Sequence, residues 1–346
     1  MNFLKSGPLQ HILARTGASG FSAPWRWNET AKTKQPLLPV DLLLLIADAL
    51  PLHGQLFFSQ TCHVIRIILP RLRDSGRHLP REQALDYLTV LAHDKLERWA
   101  CDLCTKLHSV HTMDIPKYRV GYLKACPEVW RLSHAGLFTH NIDHRHVQLA
   151  LKYTRMELAN KKHRQYLKDL LAPHHVNYDV NGWPSDVKSD LQLSSYSKIA
   201  NGRYLLLSVL QFKMNKKPVT PFTIGRRLIC RHQQLRPIEY YRPSELGELV
   251  RHGSQDPEFK LWRAVGTAFE MEGAEVTDSC PLCPMDFLVQ ASPERVTLQV
   301  WHDLGPEGSP LDQAWRIHSY HFTEKWRNDT LPYQEFGSIR RAYELG

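Results

Sequence analysis

Two pairs of cysteines carry the clearest chemical signal in the chain: Cys101-Asp102-Leu103-Cys104 and Cys280-Pro281-Leu282-Cys283. Two thiolates separated by two residues on a tight turn can chelate one soft cation at Zn–S distances near ~2.3 Å. The second pair follows the first by about half of the 346-residue chain. Compact zinc modules space their pairs by ~12–20 residues. A site shared by Cys101, Cys104, Cys280 and Cys283 would therefore clip the start of a folded body to its end. The entropy cost of closing so long a loop grows only logarithmically with length, so distance alone does not forbid it. Cys230-Arg231-His232 offers further ligands, as does His108 after the first pair. The four-thiolate set is the first expectation, and one pair with Cys230 and His232 is the alternate. Zinc in a structural role is the expected cofactor. Neither pair opens a helix in a thioredoxin-like context, which argues against a redox dithiol.

The elements that must position these residues follow from patterning. Residues 1–35 mix Gly, Ser, Pro and charge without a sustained period and are expected to form a disordered arm. From Leu38 the chain turns strongly apolar. Pro39 suits a helix start, Asp41 a first turn, and Pro51 a stop. Leu38, Leu42, Leu45, Ile46 and Ala49 share one helical face, with Leu43 and Leu44 off it. A helix apolar nearly all round must be covered on more than one side. Leu38–Arg71 reads as three short helices, a unit too small to bury its own surface. It should pack on a partner or on the rest of the chain.

Downstream, Pro80–Trp99 reads as a packing helix and 141–171 as a longer basic helix with a solvated charged face. His140, His144 and His146 are expected at a solvent-facing helix start. Asn201-Gly202 between apolar runs predicts a hairpin over Ser197–Phe212. A further strand series is expected from Leu261 through Val276, Phe287–Val289 and Val296–Trp301. Helices first and sheet later predict an α+β protein: a three-helix unit over 36–72, a body over 80–318 holding the paired cysteines, and a tail over 319–346.

Composition narrows the function classes. The chain carries 44 Lys and Arg against 35 Asp and Glu, a net charge of +9. From Thr267 onward 6 basic residues face 13 acidic ones, so the basic excess lies in the first three quarters. That asymmetry suits a polyanion or an attraction between the two parts of one fold, and no nucleic-acid reading motif accompanies it. The longest apolar run, Leu42 to Ala47, is far short of the ~20 residues of a membrane span. The first 22 residues lack the apolar centre of a secretory signal. Seven cysteines, an odd number, do not suggest a disulfide framework. A soluble intracellular protein of the cytoplasm or nucleus is expected. No phosphate-binding glycine loop, dinucleotide fingerprint, H-E-x-x-H or G-x-S-x-G stands in the sequence, and no enzymatic role is expected.

Leu38-Pro39-Val40-Asp41-Leu42, then Ile46, Leu50, Leu56, Ser59-Gln60-Thr61-Cys62 and Arg66, resemble an F-box. The sequence departs from the family at Asp41, where glutamate is commoner, and at Ile65, where tryptophan often stands. The resemblance implies a three-helix fold that docks on a Skp-type adaptor in a cullin-based SCF ubiquitin ligase. By position, it implies adaptor contacts at Leu38, Pro39, Leu42, Ile46, Leu50, Leu56, Cys62 and Ile65. The wider layout resembles a group of fungal F-box proteins. It consists of Cys101-Asp102-Leu103-Cys104-Thr105-Lys106-Leu107-His108, then Cys230-Arg231-His232, Cys280–Phe287 and Trp301-His302-Asp303-Leu304-Gly305. The function this implies is a substrate receptor that holds an unknown protein target through its body and contributes no acid, base or nucleophile. The alternatives are an F-box protein acting as a non-degradative assembly partner and a zinc-stabilised nucleic-acid binder.

Overall fold

The computed structural model describes residues 38–69, 79–117, 126, 142–156, 160–178, 189–214, 217–225, 227–230, 232–235, 260–318, 331 and 335–346. The expected arm over 1–35, His140 and the stretch after the three helices at 70–78 lie outside these residues. The chain divides into two compact units, Met1–Ser109 and Val110–Gly346. The division falls after Ser109, whereas the sequence pattern placed the start of the body at residue 80.

The first unit begins with three short helices, α1 (Val40–Ala49), α2 (Leu52–Thr61) and α3 (His63–Ile68). Prolines set the breaks. Pro39 is the N-cap of α1 and Pro51 that of α2, and Leu50 between them is extended with ψ 143°, as a residue before proline must be. Helix α4 (Arg81–His93) follows, then a hairpin of β1 (Arg98–Cys101) and β2 (Lys106–Ser109). The reason for grouping α4 and the hairpin with the helices is a common core. Leu56 of α2 meets Leu79, Ala84 and Leu88 around α4 and Ala100 of β1, with Leu107 of β2 at the margin. The Phe57 and Tyr87 rings lie 4.6 Å apart, and Gln60 Nε2 donates to Tyr87 Oη at 2.7 Å.

Helix α1 turns its narrower apolar side inward. Leu43 and Ala47 are its buried residues, spaced i and i+4. Leu38, Val40, Leu42, Leu44, Leu45 and Ile46 are exposed, Leu45 by 63%. The wider apolar stripe is therefore the one left uncovered.

The second unit is built on a six-stranded antiparallel sheet in the order β3-β4-β5-β10-β9-β8. These are β3 (His174–Tyr178), β4 (Asp190–Ala200), β5 (Arg203–Lys213), β8 (Val276–Ser279), β9 (Met285–Ala291) and β10 (Arg295–Pro306), with β6 (Leu228–Cys230) and β7 (Gln233–Gln234) forming a small ladder apart. The predicted hairpin stands: Ala200 pairs with Arg203, and Asn201 and Gly202 both take positive φ, 51° and 70°. That is the handedness a two-residue turn needs between twisted strands. Period-two alternation assigns the faces. Leu191, Leu193, Leu210, Phe212, Phe287, Val289, Val296, Leu298 and Val300 enter one core, while Leu288 and Trp301 face another with Ile339.

Helix α7 (Lys260–Glu270) covers part of the first face. The sequence reading had placed a strand from Leu261; the correction follows from spacing. Leu261, Ala264, Val265 and Ala268 are buried at i, i+3, i+4 and i+7, one helical stripe. The basic stretch is likewise corrected. It forms two helices, α5 (His144–Arg155) and α6 (Lys161–Leu171), and α5 is buried along ten of its twelve residues. His144 and His146 lie inside, not at a solvent-facing start. Asp143 and His146 form a reciprocal capping box, in which the Asp143 N–H donates to His146 Nδ1 at 3.0 Å.

Asp114 neutralises the Arg145 charge of α5. The Arg145 guanidinium grips its carboxylate in a fork, Nε to Oδ2 at 2.6 Å and Nη2 to Oδ1 at 3.0 Å, and also pairs with Asp143. His146 Nε2 lies 3.3 Å from Oδ1, and Tyr166 Oη donates to the Asp114 carbonyl at 2.8 Å. Burial raises the Asp114 carboxyl, but His146 and Arg145 outweigh it and hold the group well below the usual carboxylate range. A depressed carboxyl contributes stability above its unfolded pKa of ~3.9, lost only as pH falls towards the folded value.

The last helices are short: α8 (Gln313–Arg316) and α9 (Ser338–Leu345). The sequence placed Ser338–Leu345 in an unassigned tail, yet it is packed. Ile339 is buried against Leu288 and Trp301. The Asp286 carboxylate of β9 accepts from the N–H groups of Gly337, Ile339 and Arg340 at 3.2, 2.8 and 2.9 Å. This supplies a cap from another strand to a helix whose own N-cap is glycine.

Three expectations follow. Asp114→Ala leaves the buried Arg145 short of its main counter-charge and should cost ~3–5 kcal/mol in denaturant unfolding. Glu307→Gln, at the part-exposed Arg155 pair, should cost below ~1 kcal/mol. Asp286→Ala should destabilise α9 by ~1–2 kcal/mol, read as faster hydrogen exchange at Ile339 and Arg340 with β4 and β5 unchanged.

Candidate metal centres

The second unit gathers four ligands from two places in the sequence. Cys230 closes β6, and His232 follows before β7. Cys280 and Cys283 sit in the turn between β8 and β9, which is held by Cys280 N–H to Met285 O and Met285 N–H to Cys283 O, both 2.8 Å. The ladder carrying Cys230 is fastened to α7: buried Gln233 accepts the Leu261 N–H at 2.9 Å through Oε1.

Cys230 Sγ, His232 Nδ1, Cys280 Sγ and Cys283 Sγ all lie within 4.8 Å of one another. Cys230 Sγ to Cys280 Sγ is 3.9 Å, and His232 Nδ1 is 3.7 Å from Cys280 Sγ and 4.0 Å from Cys230 Sγ. A tetrahedral ion with ~2.3 Å bonds to sulfur separates its ligands by about 3.6–3.8 Å. The three measured edges approach that figure, and none of the cysteines is in a disulfide. The cluster can hold a metal ion.

The electrostatics point the same way. Hydrogen bonds from Cys230 and Cys283 lower the Cys280 thiol against its burial, with His232 assisting. Burial pushes Cys230 and Cys283 up, and donation to Cys280 adds to it. Three thiolates together would require a cation.

Beyond the ligands lies buried His318, which no sequence motif singled out. Its Nε2 lies 3.0 Å from the Asp303 carbonyl, its ring is 5.3 Å from that of His302, and burial pushes it down to about 4. Asp303, of the Trp301–Gly305 segment, accepts from Arg203 Nε at 2.6 Å and Gly305 N–H at 2.9 Å. Gly305 has φ +94°, and an added Cβ would meet Ala314 Cβ at 2.7 Å, so the segment needs glycine there. These residues brace the strand and do not enter the cluster.

In the first unit, Cys101 ends β1, Cys104 lies in the turn and His108 is on β2; their ligand atoms also lie within 4.8 Å of one another. The set can likewise hold an ion, giving three of the four ligands of a tetrahedral shell. The four-thiolate set of Cys101, Cys104, Cys280 and Cys283 is thereby corrected. Cys280 and Cys283 complete a shell with Cys230 and His232, the alternate ligands, and a tetrahedron so filled has no position for a second pair.

No family model, curated protein or solved structure matches the chain. The positions singled out by the F-box resemblance divide by exposure. Leu38, Pro39, Leu42 and Ile46 are exposed, and Leu50 and Cys62 are half-buried. Leu56 and Ile65 are buried within their own unit. Among the described residues no helix is long and apolar enough to cross a membrane.

Metal binding strips the protons from coordinating thiols. Uptake of a divalent soft ion by the Cys230 cluster at neutral pH should release protons, because burial holds the Cys230 and Cys283 thiols up and both must ionise to coordinate. Calorimetry of a Cys101→Ser/Cys104→Ser chain in buffers of different ionisation enthalpy measures this directly; release near zero would contradict coordination by these thiols.

Proposed function

We propose that this protein is a substrate-receptor subunit of an SCF-type ubiquitin ligase. The first unit would dock on a Skp-type adaptor, itself joined to the cullin core, and the second would hold a protein target. The observation that carries the reading is the uncovered apolar stripe of α1. Leu38 just before the helix, and Val40, Leu42, Leu45 and Ile46 on it, are 40% exposed or more, while its other side is already packed through Leu43 and Ala47. A cluster of large apolar side chains left in water marks a protein-binding surface. It includes three of the positions at which the F-box resemblance expects adaptor contacts, Leu38, Leu42 and Ile46.

The mechanism needs no reacting side chain. A receptor that holds a target beside a charged ubiquitin carrier raises the local concentration of target lysines, and that proximity is its contribution to rate. The metal at Cys230, His232, Cys280 and Cys283 would be zinc. Three sulfurs and an imidazole suit its softness, and a shell filled by four protein ligands is the structural type. Zinc there supplies cross-linking of the β6–β7 ladder to the β8–β9 turn, keeping the target-binding unit in one shape. An intracellular setting, where thiols stay reduced, accords with both parts.

Leu42→Asp with Leu45→Asp tests the docking surface, since both side chains are exposed and the unit should keep its helical circular dichroism. The native chain should co-purify stoichiometrically with a Skp-type adaptor, and the double variant should bind on the order of 100-fold more weakly, as the loss of two buried leucines implies. No complex with the native chain, or equal binding by the folded variant, would overturn the assignment.

A further inference from the structure

We propose that the β1–β2 hairpin is a second, independent zinc site, bound by Cys101, Cys104 and His108, and that its ion fixes the packing of the first unit. The starting point is the filled shell in the second unit. Once Cys230 and His232 join Cys280 and Cys283, the Cys101–Cys104 pair has no part in that site, yet its chemistry is still that of a chelating turn.

The hairpin is built for the task. Thr105 takes φ 53°, rare for a β-branched residue, and its N–H donates to the Cys101 carbonyl at 3.0 Å. That contact closes a tight turn with Cys101 at one corner and Cys104 at the other. His108 sits opposite Trp99 in the ladder, and the two rings lie 5.0 Å apart, which fixes the imidazole plane. Its Nε2 is 2.9 Å from Cys104 Sγ. A tetrahedral sulfur–nitrogen edge is about 3.6 Å, so an entering ion opens this contact by a small rotation and replaces it with two bonds. Each coordinating thiol gives its proton to solvent.

The consequence lies in what the hairpin carries. Each of its strands has only four residues, and a two-stranded hairpin alone is marginal in water. Yet Ala100 and Leu107 belong to the core shared with Leu56 of α2 and Leu88 of α4. Arg81, at the start of α4, donates to the Asp102 carbonyl within the chelating turn. An ion at the turn therefore stiffens the hairpin, the hairpin supports α4, and α4 supports the helix next to α1. The site is separate in sequence and ligands from the Cys230 cluster, so each should load without the other. Zinc stoichiometry tests this without reference to any adaptor.

The experiment is native mass spectrometry of the zinc-loaded full chain. The wild type should carry two zinc ions, with one each in Cys280→Ser and Cys104→Ser and none in the variant combining them. A wild-type chain with a single ion, or a Cys104→Ser chain that still holds two, would overturn the proposal. Should Cys104→Ser not fold, His108→Ala keeps both thiols. In a Cys280→Ser background, where the hairpin alone should bind, cobalt titration should then show thiolate-to-cobalt absorption that His108→Ala weakens at least ~10-fold. Unchanged cobalt affinity on His108→Ala would remove His108 from the shell and overturn the assigned ligand set. In hydrogen exchange, chelation should expose Ala100 and Leu107 in the Cys280→Ser chain but not in Cys104→Ser; no change in the former would overturn the packing role.

Discussion

Three thiols and an imidazole converge inside an otherwise apolar core, and the second unit is organised around that constraint. Cys230, Cys280 and Cys283 are members of the same buried cluster as Leu261, Val265, Phe287 and Val300. Charge at such a depth is expensive unless paired. Hydrogen bonding of Cys230 and Cys283 to Cys280 lessens that cost, and a bound cation would neutralise all three. Either way the ligands must stay together, which ties the short β6–β7 ladder to the β8–β9 turn and, through Gln233, to α7. A small ladder with little surface to bury gains its place in the fold from this junction.

The buried helix α5 meets a different version of the same problem. Helix α5 carries Arg145, His146 and Lys152 into the interior, so its basic sequence is not a solvated stripe. The bidentate Asp114–Arg145 pair turns a liability into a fixed orientation, since a planar guanidinium and a carboxylate match in only a few geometries. Asp286 plays a related part for α9, accepting orphan N–H groups at a helix end that has no side-chain cap of its own. Much of the unit's polar interior is thus structural, and the basic excess of the sequence is partly consumed inside the fold.

The first unit shows the reverse imbalance. Its core is spent joining α2 to α4 and the hairpin, which leaves α1 with more apolar surface than the unit covers. A helix with Leu43 and Ala47 inward and five large apolar residues outward is stable only if its inward anchor suffices or a partner completes it. The proposed ligase role makes this surplus the docking surface, and the proposed hairpin ion makes the support beneath it depend on metal.

Local signals were readable without coordinates. Prolines at 39 and 51 marked helix breaks because the ring fixes φ and constrains the preceding residue. Asn201-Gly202 marked its hairpin because both residues tolerate positive φ. The cysteine pairs marked chelating turns because two thiols on one turn face the same way. What the sequence alone could not decide was partnership at a distance. It could not tell whether Cys280 and Cys283 would close on Cys101 and Cys104 or on Cys230 and His232, which side of α1 would turn inward, or that buried Asp114 would meet Arg145. Each depends on which segments the fold brings together, and loop closure discriminates only weakly among partners at different separations. The choice is made by the packing of the sheet faces, a property of the whole unit and of no single stretch of chain.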